Sequence, residues 1–199
     1  MNKTSFNTTY LVQLALLVAI ILLMAFTPIG YIKTLGLEIT LIVVPVTVGA
    51  VILGPKGGAI LGFVFGLTSF IQCFGMSPFG SVLLGLNPFG CFMVCVPTRT
   101  LMGWLTGLIY KAFKGKKLKT LPHFVANLAG PIMNTLFFMT MLILFFFQSD
   151  YIQGLAGGLN PFAFVIAFVG INGLIEAAAC FVAGTAISKV LTMALNRGI

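Results

Sequence analysis

Two ionisable residues, Arg99 and Glu176, fall deep inside apolar sequence, and the amides Asn127, Asn134 and Asn172 fall in similar stretches. A guanidinium offers a planar fork of donors that suits a carboxylate or a carbonyl. A carboxylate accepts, and an amide does both. Such a set can hold and orient a small polar molecule, or Arg99 and Glu176 can form a structural ion pair joining the fourth and sixth helices; both can hold at once. Gln72 and Asn87 lie near the ends of the same segments and add further amides for the mouth of a site. This is chemistry of recognition rather than of bond breaking. His123 is the sole histidine, and Asp150 and the two glutamates form no carboxylate pair in sequence. There is no HExxH pattern and no glycine-rich phosphate loop, so neither zinc proteolysis nor ATP hydrolysis is expected of this chain. Cys73, Cys91, Cys95 and Cys180 are scattered through apolar segments and read as buried free thiols. Cys91 and Cys95 are helical neighbours but have no histidine or acidic partner, so no metal site is expected.

The elements that must position these groups are membrane helices. Hydrophobic residues are 59% of the 199-residue chain and charged residues 7%, against roughly 25% charge in soluble proteins. A bilayer accepts that much apolar surface if every backbone polar group is satisfied within the segment. The apolar runs are continuous rather than alternating, which favours helices over barrel strands. The reading is an all-α integral membrane protein with one six-helix domain spanning 1–199. Its helices lie near 9–27, 38–54, 57–74, 88–113, 122–148 and 161–194. The first is read as a retained span, the second is short, and Glu38 opens it, where a carboxylate suits the helix dipole.

Charge sets the direction. Lys3, Lys56, Lys111, Lys114, Lys116, Lys117, Lys119, Lys189 and Arg197 share one side, and Lys33 stands alone on the other. By the excess of basic residues on cytoplasmic loops, both termini are expected in the cytoplasm. The net charge of +8 is then a topology signal, and no nucleic-acid partner is expected. The outer loops near 28–37, 75–87 and 149–160 are apolar and rich in Gly and Pro, suited to folding over the outer mouth.

An internal echo sets depth. Gly85-Leu86-Asn87-Pro88-Phe89 precedes the fourth helix and Gly158-Leu159-Asn160-Pro161-Phe162 the sixth, with a shorter relative at Ser77-Pro78-Phe79-Gly80. Asn as N-cap and Pro at the first helical position explain the pattern. Arg99 follows Asn87, and Asn172 follows Asn160, by the same spacing, which puts both about 18 Å below the outer helix starts. Glu176 lies one turn beyond Asn172, and Asn134 is midway along the fifth helix. Small residues recur at four-residue spacing: Ala15 and Ala19, Gly58, Gly62 and Gly66, Gly103 and Gly107, Ala179 and Ala183. Such stripes allow close helix contact in lipid, within the chain or with a partner.

Three of these features, with the length, carry a resemblance. They are Ala15-x-x-x-Ala19, the stretch from Ile42 to Phe63 with Gly54-Pro55-Lys56-Gly57-Gly58 at its centre, and six helices. On them the chain resembles, over nearly its full length, the substrate-binding S components of energy-coupling factor (ECF) vitamin transporters. Val96-Pro97-Thr98-Arg99 and Asn134-Thr135 look most like the pantothenate-type group. The resemblance implies a multi-pass protein of a bacterial plasma membrane that captures a vitamin from outside. It implies a first outer loop that closes over the ligand. It also implies docking through helices one to three, here Ala15, Ala19, Gly58 and Gly62, on a transmembrane coupling subunit joined to two ATPases.

Other readings stay open at this point. The ligand is another vitamin or precursor, of pyridoxine or pyrimidine type. Or the chain is a stand-alone channel or facilitator, or an assembly protein whose small-residue stripes are its whole function.

Overall fold

The computed structural model describes residues 8–28, 30–33, 38–115 and 120–197. Lys3, Lys116, Lys117 and Lys119 lie outside the described residues, as do the side chains of Lys33, Glu38, Asn172 and Arg197. The helices are α1 (Thr8–Ala25), α2 (Val43–Gln72), α3 (Pro78–Leu86), α4 (Pro88–Phe113), α5 (Leu121–Phe146), α6 (Asp150–Ala156), α7 (Pro161–Ala179) and α8 (Thr185–Arg197), with a π-helical turn at Cys180–Gly184. Among the described residues, five helices are long and apolar enough to cross a membrane, or six if the bent pair Asp150–Ala156 and Pro161–Gly170 counts as one span.

One of those five, α2, is a hairpin. Gly54 has φ 77° and ψ −172°, a backbone reversal that only glycine adopts readily. A Cβ built on Gly58 would stand 2.8 Å from that of Ala50. Residues that far apart in a straight helix are about 12 Å apart. So legs 43–53 and 55–72 lie side by side, and Pro55 opens the second leg, where its missing N–H costs nothing. The first leg is short, about 16 Å at 1.5 Å per residue. An antiparallel ribbon precedes that leg, β1 (Tyr31–Lys33) and β2 (Glu38–Thr40), in the register Tyr31↔Thr40. Glu38 is therefore a strand residue and not the start of a helix, because residues 38–40 pair across the ribbon.

The second leg of α2 packs closely on α4. A Cβ on Gly58 would meet the Gly103 carbonyl at 2.2 Å, and one on Gly62 the Arg99 carbonyl at 2.2 Å. Glycine at these positions lets the two backbones approach to contact distance. Gly58 and Gly62, expected on a docking face, are buried in this internal seam instead. Helix α1 is the opposite case. It buries only Leu17, Ile21 and Ala25. Ala15 and Ala19 lie about 200° around the helix from that stripe and are exposed.

All three echo segments start helices as expected. Asn87 Oδ1 accepts from Gly90 N–H at 2.9 Å and Asn160 Oδ1 from Ala163 N–H at 2.8 Å. Ser77 Oγ accepts from Gly80 N–H at 3.3 Å. Two of the connections between the long helices contain short helices, α3 and α6, and Asp150 opens α6. These caps pack over one apolar cluster that includes Leu83, Val94, Phe146, Ile152 and Phe164. A second cluster joins α1, α2 and α4 through Leu17, Ile21, Val46, Leu61, Phe65 and Met102.

Candidate functional site

The polar cluster sits at the boundary of those two apolar clusters. On α4, Val96 belongs to one and Met102 to the other, with Arg99 between them. Helix α5 repeats the arrangement, with Asn134 between Met133 and Met139. Each polar group thus takes a place where the apolar packing is interrupted.

Arg99 is 7% exposed. Pro97 lacks an N–H, so its turn of α4 is one hydrogen bond short. Carbonyls just before it are used by side chains. Arg99 Nη1 donates to Val94 O at 3.0 Å and Cys95 O at 3.1 Å. Thr98 Oγ1 donates to the same Val94 carbonyl. The guanidinium carbon lies 4.8 Å from the Phe65 ring centroid and 5.6 Å from that of Phe138. Two rings and two carbonyls therefore hold the charge in apolar surroundings. Arg99 Nε is buried and has no partner among the described residues.

Asn134 is 7% exposed and Glu176 8%. Asn134 Nδ2 donates to Glu176 Oε1 at 3.1 Å. The Thr40 backbone N–H also bonds the Glu176 carboxylate. Strand β2, in the connection between α1 and α2, is thus tied to the carboxylate that Asn134 holds. Asn134 Oδ1 is buried without a partner among the described residues. Arg99 and Glu176 feel each other electrostatically, but among the described residues no carboxylate oxygen comes within 4.0 Å of the guanidinium. A cation's donor and an amide's acceptor are left open in one buried region. Leaving such groups unmatched costs about 1–3 kcal/mol each, and a ligand carrying a carboxylate and a donor can supply both missing partners.

The other residues singled out from sequence fall elsewhere. Gln72 Nε2 donates to Ala25 O, fastening the end of α2 to the end of α1. Asn87 spends its oxygen on capping α4. The side chain of Asn172 lies outside the described residues. Its depth ruler also fails, because Gly170, with φ 34° and ψ −129°, breaks α7 two residues earlier. A constant rise per residue applies only to an unbroken helix. Sequence reasoning missed Phe65, Phe138 and the Thr40 N–H. Phe138 was findable, since it stands one turn beyond Asn134 on the same face. The other two required the fold.

Comparison with known proteins identifies the family. Residues 9–188 match the family model described as ECF transporter, substrate-specific component. The chain is 33% identical over 173 residues, 79% of each chain, to the pantothenic acid transporter PanT of Lactococcus lactis subsp. cremoris. It is 28% identical over 200 residues, 96% of each chain, to the pantothenate transporter PanT of Leuconostoc mesenteroides subsp. mesenteroides. Bacterial relatives and long apolar helices mark a multi-pass protein of a bacterial membrane. The match extends from α1 into α8, through every element that builds the polar cluster, and the chain belongs to the substrate-specific components of ECF transporters, which bind a substrate and are not enzymes.

Proposed function

We propose that this chain captures pantothenate at the Arg99–Asn134–Glu176 cluster and delivers it inward as part of an ECF transporter. The observation that carries the reading is the buried, incompletely bonded guanidinium beside an amide oxygen with no partner. Pantothenate has a carboxylate for Arg99, and an amide and hydroxyls for Asn134 and Glu176. The names of the two relatives agree with that chemistry. Asn172 belongs to the same proposal. Gln72 and Asn87 line its outer approach, in addition to the fastening and capping described above.

The whole chain acts as one six-helix unit with both termini in the cytoplasm, as the basic residues require. The ribbon β1–β2 and helices α3 and α6 then face outward. The ribbon closes the site, and its tie to Glu176 through Thr40 supports that role. The partners are a transmembrane coupling subunit and two ATPases that supply the energy. Docking uses Ala15 and Ala19, which α1 presents on its exposed face.

Labelled pantothenate should bind the purified, detergent-solubilised chain at roughly nanomolar concentration and be displaced by unlabelled pantothenate but not by other B vitamins. Displacement by a different vitamin would sink the substrate assignment. Failure of every vitamin to bind would sink the capture role. Ala15→Trp and Ala19→Trp should leave this binding intact and abolish ATP-driven uptake by the reconstituted complex.

A further inference from the structure

Three of the four cysteines, read from sequence as scattered thiols, meet in space. Cys73 follows the last residue of α2 and is its C-cap. Cys91 and Cys95 are one turn apart on α4, and that face meets the end of α2. All three are buried, at 4%, 0% and 5% exposure. Their sulfurs lie within 4.8 Å of one another, and Cys73 Sγ is 3.9 Å from Cys95 Sγ. An ion bonded to three sulfurs at about 2.3 Å in one plane spaces them about 4.0 Å apart. The cluster is thus close to ligating geometry without rearrangement of either helix.

The donor set decides the kind of ion. It is all sulfur, and among the described residues no imidazole, carboxylate or further thiol joins the group. Soft thiolates select soft cations, whereas zinc in structural sites asks for a fourth ligand. The surroundings are apolar, with Leu83, Val94 and Phe146 in the same cluster. Three thiols that give up their protons to hold a monovalent ion leave two net negative charges there, of which one neighbouring cation offsets one. Arg99 stands in electrostatic reach of Cys91 and Cys95, and its Nη1 bonds the Cys95 carbonyl at 3.1 Å. Helix α3 covers the group: a Cβ on Gly80 would press on Cys73 Sγ at 2.6 Å.

We propose that Cys73, Cys91 and Cys95 form a three-sulfur site for a soft monovalent cation of the Cu(I) type. The ion joins the end of α2 to α4 beside Arg99. Its three ligands lie outside the Arg99–Asn134–Glu176 cluster, although Arg99 stands next to both.

The test uses the full-length chain, reduced and held anaerobically in detergent. Cu(I) is titrated against a chromophoric Cu(I) chelator, and retained copper is counted by elemental mass spectrometry after desalting. One ion per chain is expected in the wild type and in Cys180→Ser. Cys73→Ser, Cys91→Ser and Cys95→Ser should each weaken binding at least about tenfold. X-ray absorption should show a sulfur-only shell. Should a variant fail to fold, alkylation of the wild type decides. Cu(I) should protect these three thiols in peptide mass maps and leave Cys180 unchanged. No retained copper, loss of binding in Cys180→Ser equal to that in the other variants, or uniform protection of all four thiols would overturn the proposal.

Discussion

Helix α5 carries two buried asparagines two turns apart, and they do opposite things. Asn127, fully buried, donates through Nδ2 to His123 O at 2.8 Å and to Ser188 Oγ at 3.1 Å. His123 Nδ1 lies 3.2 Å from the same hydroxyl, and the Tyr110 ring packs on the imidazole at 5.1 Å between centroids. Gly184, in the π-helical turn, leaves room for Asn127 Oδ1, which a Cβ there would meet at 2.5 Å. This region is hydroxyl, amide and imidazole, and it joins α5 to α8. Asn134 instead stands with two ionisable side chains, Arg99 and Glu176, that do not pair with each other, and apolar rings surround the guanidinium. Both asparagines have an oxygen without a partner. The lesson is that polarity inside the bundle is not by itself a sign of binding. The feature that separates a site from a fastening is an unneutralised charge held open by its surroundings.

Substitutions can break or sharpen this contrast. The largest effect is expected at Arg99: Arg99→Ala should weaken pantothenate binding by about a hundredfold, the scale of a lost charged hydrogen bond, while thermal unfolding in detergent stays cooperative. Retained affinity would dissolve the distinction between the two regions. Asn134→Ala comes next, with affinity expected to fall about tenfold as a neutral hydrogen-bonding partner is lost. Binding titrations measure both.

Asn127→Ala should behave in the reverse manner. It should lower stability by about 1–3 kcal/mol through the groups left without partners, seen as a lower unfolding temperature, and leave the dissociation constant within about twofold. A large loss of affinity there would extend the site to the basic end of the bundle. The smallest effect is expected at Thr185, whose buried Oγ1 has no partner. Thr185→Val removes an unsatisfied hydroxyl at nearly constant shape, so stability should stay level or rise by up to about 1 kcal/mol. A clear drop would reveal a partner for that hydroxyl.

Local chemistry was legible without the fold. Continuous apolar runs announce helices because a bilayer leaves the backbone no other partners. The Asn-Pro and Ser-Pro starts depend on atoms three residues apart, so Asn87, Asn160 and Ser77 cap as their sequence says. Arg99 and Glu176 stood out because charge is rare where every neighbour is apolar. Less could be read wherever the answer depended on rotation about a helix axis or on a break within it. Ala15 and Gly62 belong to similar stripes, yet one faces outward and the other fills a seam with α4. A stripe records that close approach is possible, not which surface makes it. Gly170 was unremarkable in sequence and interrupts the helix that was to place Asn172.

From its sequence alone, then, this chain is a helical membrane protein with its charge concentrated at one end and a few polar groups in its core. Those properties follow from composition and from interactions a few residues long. The tertiary structure decided that Glu176 bonds Asn134 and the Thr40 N–H instead of pairing with Arg99, and that Cys73 meets Cys91 and Cys95. Each depends on how deep one helix sits against another and how far it is turned, and helix packing sets those two quantities across the whole chain.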